Sequence, residues 1–502
     1  MLLLLLILGL VTYWILRRGV TRITRTPIWL LWLVMMAPAL IWSTWVLVHG
    51  TQTPIPSWLV VIPFIACPCL YWVLVQMGRE PPPERETNDR APSPTADSPT
   101  PQPLMSKRPE NPSPPSPPIT PKEEERLRTC FPWAVFPLQN LEYRPQAVIC
   151  RGQLRSQPEV AYKTVRENIE ANFGDRFLIV FQKDFGDKPL FALVQNPYRR
   201  TAGPPNPDRD LLTQPLLALA LVAITLFTTT VAGTVLMGVT NQDWQADPAL
   251  LWTGLPYALA LMAILGVHEG AHYLSARSHG IKVTLPYFIP IPFFLGTFGA
   301  FIQTRSPIPN RKALFDVSIA GPWAGLLVTV PLLIWGFAHS EVVSVLPEEA
   351  GILTFNALDP SFSILLTLLG KVALGDALTP AGAIDLHPVA IAGYIGLVVS
   401  AFNLLPIGQL DGGHMVHAMF GQRTSLAIGQ ITRFLVLFLA LVQQEFLILA
   451  VLLFFLPLND EPALNDVSEL DDLRDFIGLI TLGVLLAILL PLPNALAQFL
   501  NY

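Results

Sequence analysis

Long apolar runs with few polar interruptions lie at 1–16, 28–48, 57–77, 211–239, 249–276, 313–337 and 386–405. A helix needs about 20 such residues to cross roughly 30 Å of hydrocarbon, so each run predicts a membrane span. Residues 424–458 hold two more, broken at Gln443, Gln444 and Glu445, and 476–495 holds another. The pattern predicts about nine or ten spans, the count turning on 446–458. Between the third and fourth runs the pattern changes twice. Residues 81–121 carry 15 prolines among 41 positions and almost no large apolar residue, too little to bury for a fold, and they read as a tether. Residues 126–202 return to a folded periodicity. Strand-like Ala147–Arg151 precedes a helix with Ala161, Val165, Ile169 and Phe173 four apart, then strand-like Phe177–Phe181 and Leu190–Val194. A small β-α-β-β domain is expected there, a scaffold or a gate on substrate access, with no catalytic constellation of its own.

Composition agrees with a membrane chain: 52% of residues are hydrophobic and 14% charged, against about a quarter charged in a soluble domain. The net charge of −5 and the lack of a basic stripe interleaved with aromatics exclude nucleic acid as a partner. The four cysteines, Cys67, Cys69, Cys130 and Cys150, are too few for a disulfide framework and read as structural. No Lys or Arg precedes Leu2–Leu6, and Arg17, Arg18, Arg22 and Arg25 follow the first run, which suits a retained helix better than a signal peptide.

Lys and Arg accumulate in cytoplasmic loops, so their distribution orients the spans. Loop 17–27 has four, 49–56 none, 240–248 none and 277–312 five, while 338–385 has only Lys371. The expected topology puts the amino terminus and 338–385 outside and 78–210 inside.

Within the run at 249–276 stands Val267-His268-Glu269-Gly270-Ala271-His272. Helical residues four apart share a face about 6 Å apart along the axis, so His268 and His272 can grip one Zn²⁺. Glu269 then lies beside the metal, where its carboxylate can take a proton from water and deliver it to a leaving amine. Ionisable groups cost about 2.5 to 3.5 kcal/mol each at a helix centre, so three of them in an apolar helix mark a functional site. A catalytic zinc usually takes three protein ligands. The third is expected from Asn403-Leu404-Leu405-Pro406-Ile407-Gly408-Gln409-Leu410-Asp411-Gly412-Gly413-His414, at a matching depth, through the Asp411 carboxylate. His414 and His417 are weaker rivals that read as interfacial polar residues. Pro406, Gly408, Gly412 and Gly413 break helix geometry, which membrane depth tolerates only where backbone lines an enclosed cavity.

These residues resemble the site-2 protease family of intramembrane zinc metalloproteases. His268-Glu269-Gly270-Ala271-His272 is paired with Asn403–Gly412 read as N-x-x-P-x-x-x-x-D-G, and Gly321-Pro322-Trp323-Ala324-Gly325 looks like the family's G-x-x-x-[small] element. Gly296–Phe301 and the preceding folded domain resemble the cyanobacterial and plastid branch named for ethylene-dependent gravitropism-deficient and yellow-green. The resemblance covers roughly 211–458. It implies Asp as third ligand, matching Asp411, cleavage of membrane-spanning proteins, and a cyanobacterial plasma or thylakoid membrane, while the Lys and Arg distribution puts the active site toward the cytoplasm. For Asn403 it suggests a contact to the substrate backbone or oxyanion, although a helix-packing amide fits the residue equally. Gly299 is a further candidate for such contacts.

Gly321 and Gly325 alone permit close helix contact, and packing is their plain reading. Residues 281–303, too interrupted for a span, can form a re-entrant strand or hairpin to whose edge an extended substrate adds. The expected fold is an all-α polytopic membrane protein with a re-entrant β-like segment and a small α+β soluble domain. Its order is a three-helix membrane region at 1–77, the tether at 78–125, the α+β cytoplasmic domain at 126–202, the catalytic transmembrane metalloprotease core at 203–458, and an acidic loop with a C-terminal helix at 459–502. The expected function is a zinc endopeptidase acting on transmembrane protein substrates within membrane lipid. The alternative is a metal-ion transporter, which explains His268 and His272 but gives Glu269 no special role.

Overall fold

A computed structural model describes residues 26–49, 119–144, 147–184, 186–197, 215–239, 247–291, 295–344, 355–379, 382–442, 447–458 and 460–499, with isolated positions elsewhere. The runs at 1–16 and 57–77 and most of the proline-rich tether lie outside the described residues. The chain divides into two compact units, 1–111 and 112–502. The first contains α1 (Ile28–His49), apolar along its whole length.

The second unit opens with α2 (Pro121–Thr129), whose first turn is closed by a capping box between Thr120 and Glu123. An antiparallel sheet follows, built from β1 (Leu138–Arg144), β2 (Ala147–Gly152), β3 (Phe177–Lys183) and β4 (Pro189–Gln195) in the order β1-β2-β4-β3. Helix α3 (Pro158–Phe173) joins β2 to β3 and buries Ala161, Tyr162, Val165 and Ile169. Phe181 and Phe191 stack at 4.2 Å across β3 and β4, an aromatic pair worth about 0.5 to 1.5 kcal/mol beyond its buried area. Strand β1 has no clear apolar alternation in the sequence. Gln139, Asn140 and Glu142 dilute its apolar signal, as an edge strand with one wet face allows.

The apolar runs form α4 (Pro215–Leu236), α5 (Leu255–Ser278) with a 3₁₀ lead-in from Pro248, α6 (Arg311–Ala338), α8 (Pro388–Leu404) and α10 (Gln422–Val442). Among the described residues five helices are long and apolar enough to cross a membrane: α1, α4, α5 with its lead-in, α6 and α10, with α8 a shorter apolar one. This is the architecture of a mostly helical polytopic membrane protein with a few small sheets. Asn310 starts α6 by accepting the Ala313 N–H at 2.8 Å. Between α5 and α6 runs a two-stranded antiparallel hairpin, β5 (Tyr287–Pro290) and β6 (Thr297–Phe301). The stretch after α6, read from sequence only as a loop, holds α7 (Ile364–Leu374) and the paired strands β7 (Glu341–Ser344) and β8 (Gly382–Asp385).

After α8 a tight turn leads into α9 (Asp411–Phe420), and α11 (Leu447–Phe455) and α12 (Asp472–Leu489) close the core. The segment 460–468 joins the sheet to the helices. Phe181 N–H donates to the Leu464 carbonyl at 2.7 Å, Asp466 N–H donates to the Phe181 carbonyl at 2.8 Å, and Leu464 N–H donates to the Ile308 carbonyl at 2.9 Å.

Candidate metal centre

Helix α5 presents His268 and His272 on one buried face, and α9 begins with Asp411, whose Oδ2 reaches toward both. His272 Nε2 lies 3.2 Å from His268 Nε2 and 3.2 Å from Asp411 Oδ2, and His268 Nε2 lies 3.5 Å from the same oxygen. These three residues form the group suited to hold a metal ion among the described residues. Bonds of about 2.0 to 2.1 Å in tetrahedral geometry set ligand atoms about 3.3 Å apart. The donor atoms therefore already stand at zinc spacing, and two imidazoles with one carboxylate are a donor set that zinc accepts.

The surroundings fix the ring that matters. His272 Nδ1 lies 2.7 Å from the Val317 carbonyl on α6. Donating its proton there leaves Nε2 with a lone pair toward the metal, the orienting bond that zinc-binding histidines usually have. Helix α6 comes this close because of two glycines. A Cβ on Gly321 would fall on the His272 ring, and one on Gly325 would sit 3.0 Å from His268 Nδ1. Their four-residue spacing repeats that of the histidines on the facing helix, so beyond packing they clear the space that the imidazoles fill. The matching spacing was the one available sequence signal.

Asp411 is delivered by backbone geometry. Gly408 has a positive φ of 50°, which only glycine adopts freely, and Leu410 N–H closes the turn on the Ile407 carbonyl at 3.1 Å. Side chains at Gly412 or Gly413 would strike the carbonyls of Leu404 and Gly408. The acid therefore sits at a helix N-terminus, where negative charge is favoured, pressed against the end of α8.

Asn403 near the end of α8 has Nδ2 3.4 Å from His268 Nε2. Glu269 is half-buried beside the donors, and the Ile302 backbone, directly after β6, hydrogen-bonds to it. Gly299 lies on β6 with open space around its α-carbon, but its N–H donates to Thr297 Oγ1 at 3.0 Å and is thereby engaged. His414 and His417 stand apart from the three donors. His417 is fully buried, where the sequence suggested an interfacial polar residue, because Asp460 and Asp466 neutralise it from the segment 460–468.

A brace invisible to sequence reasoning holds α5 and α6 in register. Asp316 on α6 takes Arg474 of α12 through two bonds, Nε to Oδ1 at 2.7 Å and Nη2 to Oδ2 at 2.8 Å, and meets His279 at the end of α5 at 3.1 Å.

Residues 256–442 match Peptidase family M50. The chain is 31% identical over 353 residues to the probable chloroplastic zinc metalloprotease EGY2 of Oryza sativa subsp. indica, covering 69% of this chain and 62% of the relative. It is 29% identical to EGY2 of Arabidopsis thaliana over 69% of this chain and 61% of the relative. With the probable chloroplastic zinc metalloprotease EGY1 of Arabidopsis thaliana it shares 32% identity over 55% of this chain and 54% of the relative. The chain thus spans about three fifths of the curated relatives it matches. No solved structure matches. Nothing in these similarities supports metal transport. The zinc-spaced donor set of this helical core falls inside the matched segment, for His268, His272 and Asp411 all lie within 256–442, the stretch similar to peptidase family M50.

Proposed function

We propose that this chain is an intramembrane zinc endopeptidase that cuts membrane-spanning proteins within or next to their transmembrane segment. The observation that carries the reading is the convergence of His268, His272 and Asp411 at 3.2 to 3.5 Å, with Glu269 beside them. His268, His272 and Asp411 would hold zinc, which when bound would supply Lewis acidity toward the scissile carbonyl and lower the pKa of water. The Glu269 carboxylate accepts a proton from the attacking water and returns it to the leaving amine nitrogen. The Asn403 amide donates to the substrate's carbonyl oxygen as negative charge develops on it. A helical substrate hides its carbonyls in its own hydrogen bonds, so it must unwind first. An edge of the β5–β6 ribbon then holds the extended segment next to Glu269.

The Lys and Arg distribution puts 78–210 and the zinc site on the cytoplasmic side, and the amino terminus and 338–385 on the other. Kinship with the plastid branch favours a cyanobacterial plasma or thylakoid membrane. The test is reconstitution of the purified chain with a single-span substrate. Cleavage that stops on chelation and returns with zinc, together with zinc lost from His268→Ala and Asp411→Ala, supports the reading. Full zinc in Asp411→Ala would move the third ligand elsewhere.

A further inference from the structure

A second buried cluster of titratable groups occupies the later half of α9. His417 Nδ1 lies 2.7 Å from Asp460 Oδ2, and its Nε2 lies 2.9 Å from Asp466 Oδ1. Carboxylates only accept, so both ring nitrogens donate and the ring is an imidazolium. Burial works against that charge, but the bonds to Asp460 and Asp466 outweigh it and push His417 up to about 9. His414 Nδ1 shares the same Asp460 oxygen at 3.0 Å. Arg311, buried at the start of α6, closes the end of α9 by donating to the Ala418 and Met419 carbonyls, each at 2.7 Å.

The segment that supplies the two acids faces two ways. Leu464 and Val467, 8% and 5% exposed, belong to the same apolar cluster as Phe136, Phe181 and Phe191 of the soluble domain. Asp460 and Asp466 point to α9, and Asn465 bridges in parallel to both Phe181 and Asn310. One short stretch of chain therefore completes the domain's core and grips the helix that begins at Asp411. From Asp411 to His417 is about 9 Å along a helix, and Gly412 and Gly413 are packed against backbone with no slack. A shift at His417 must then move Asp411.

We propose that His417 is a positioning residue, joining the docking of the soluble domain through the segment 460–468 to the placement of Asp411 at the metal. The domain does more than gate access: its seating on Leu464 and Val467 sets how firmly the third ligand is held. This rests on the reading of Asp411 as a zinc ligand and is independent of peptidase activity.

The test is the rate at which a chelator extracts zinc from the full chain in nanodiscs. His417→Gln keeps a polar group but loses the positive charge and the two separated ring donors that meet Asp460 and Asp466, and should speed extraction about tenfold, the low end of the effect of losing an outer-shell partner. Leu464→Ser, which touches the domain core and not α9, should speed it comparably. The double variant should be no faster than either single one, since both break the same connection. Rates that multiply in the double variant, or an unchanged rate in His417→Gln, overturn the proposal. If His417→Gln does not fold, the near-isosteric Asp466→Asn takes its place in the same cycle under the same criteria. A wild type that holds zinc but cleaves nothing overturns the protease reading alone and leaves this assay intact.

Discussion

The Nδ1 of His272 and the carbonyl oxygen of Val317 lie 2.7 Å apart, across the contact between α5 and α6. That bond fixes the imidazole's tautomer and rotation before any metal arrives. It exists because Gly321, one turn further along α6, leaves room for the ring.

Gly321→Ala should therefore displace the His272 ring and weaken zinc binding by at least the roughly tenfold expected when a ligand's support is lost. Gly325→Ala should cost less, because its Cβ would meet His268 Nδ1 at 3.0 Å rather than overlap a ring. Competition with a metal-responsive dye measures both. Unchanged affinity in Gly321→Ala would mean that α6 does not set the ligand geometry.

The Asp316 brace should matter for stability more than for chemistry. Arg474→Ala leaves a part-buried carboxylate with His279 as its remaining ion-pair partner among the described residues, and losing charge-assisted bonds of this kind costs about 1.5 to 3 kcal/mol. Thermal unfolding in detergent should show a lower midpoint with zinc stoichiometry intact. A midpoint equal to wild type would assign Arg474 no bracing role.

Glu341 and Asp385 stand directly opposite each other on β7 and β8. Burial, and then the Glu341 charge, raise the Asp385 pKa above its usual value. A raised carboxylate favours the folded strands while protonated and loses that contribution as pH rises through the folded pKa. The two carboxylates face each other across the ribbon, so Asp385→Asn, which removes one of them, should slow amide exchange there relative to wild type. The difference should shrink as pH falls and Asp385 takes up its proton, and equal protection at neutral pH would refute the repulsion.

Placement in the membrane can be read by labelling single cysteines at Gln245→Cys and Thr95→Cys with an impermeant reagent. Position 245 should react from outside and position 95 from the cytoplasm. Labelling of position 245 from the cytoplasm alone would invert the scheme.

What the sequence disclosed and what it hid follow from the range of the interactions. His268, Glu269 and His272 lie within one helical turn, so their shared environment is written in their spacing. Asp411 was legible because glycines and a proline in an apolar context mark a sharp turn at membrane depth. The 281–303 stretch, too interrupted for a span, pairs Tyr287–Pro290 with Thr297–Phe301 as antiparallel strands. The edge strand β1 was lost among its own polar residues. His417 could not be read as buried, because its partners lie 43 and 49 positions away. Nor could the Asp316 brace, whose two halves are 158 positions apart. Local chemistry shows in a sequence through residue type and spacing, whereas long-range pairing between acids and bases leaves no periodic trace.

The central claim is that Glu269 moves the proton while His268, His272 and Asp411 hold the metal. It is tested most directly by Glu269→Gln beside wild type, reconstituted with the same single-span substrate and assayed for zinc and for cleavage. The amide keeps the shape of the side chain but cannot take up a proton. Zinc content should equal wild type while cleavage falls by about 10² to 10⁴-fold or more, the usual effect of removing a general base. Cleavage by Glu269→Gln at the wild-type rate, with zinc bound, would contradict the account.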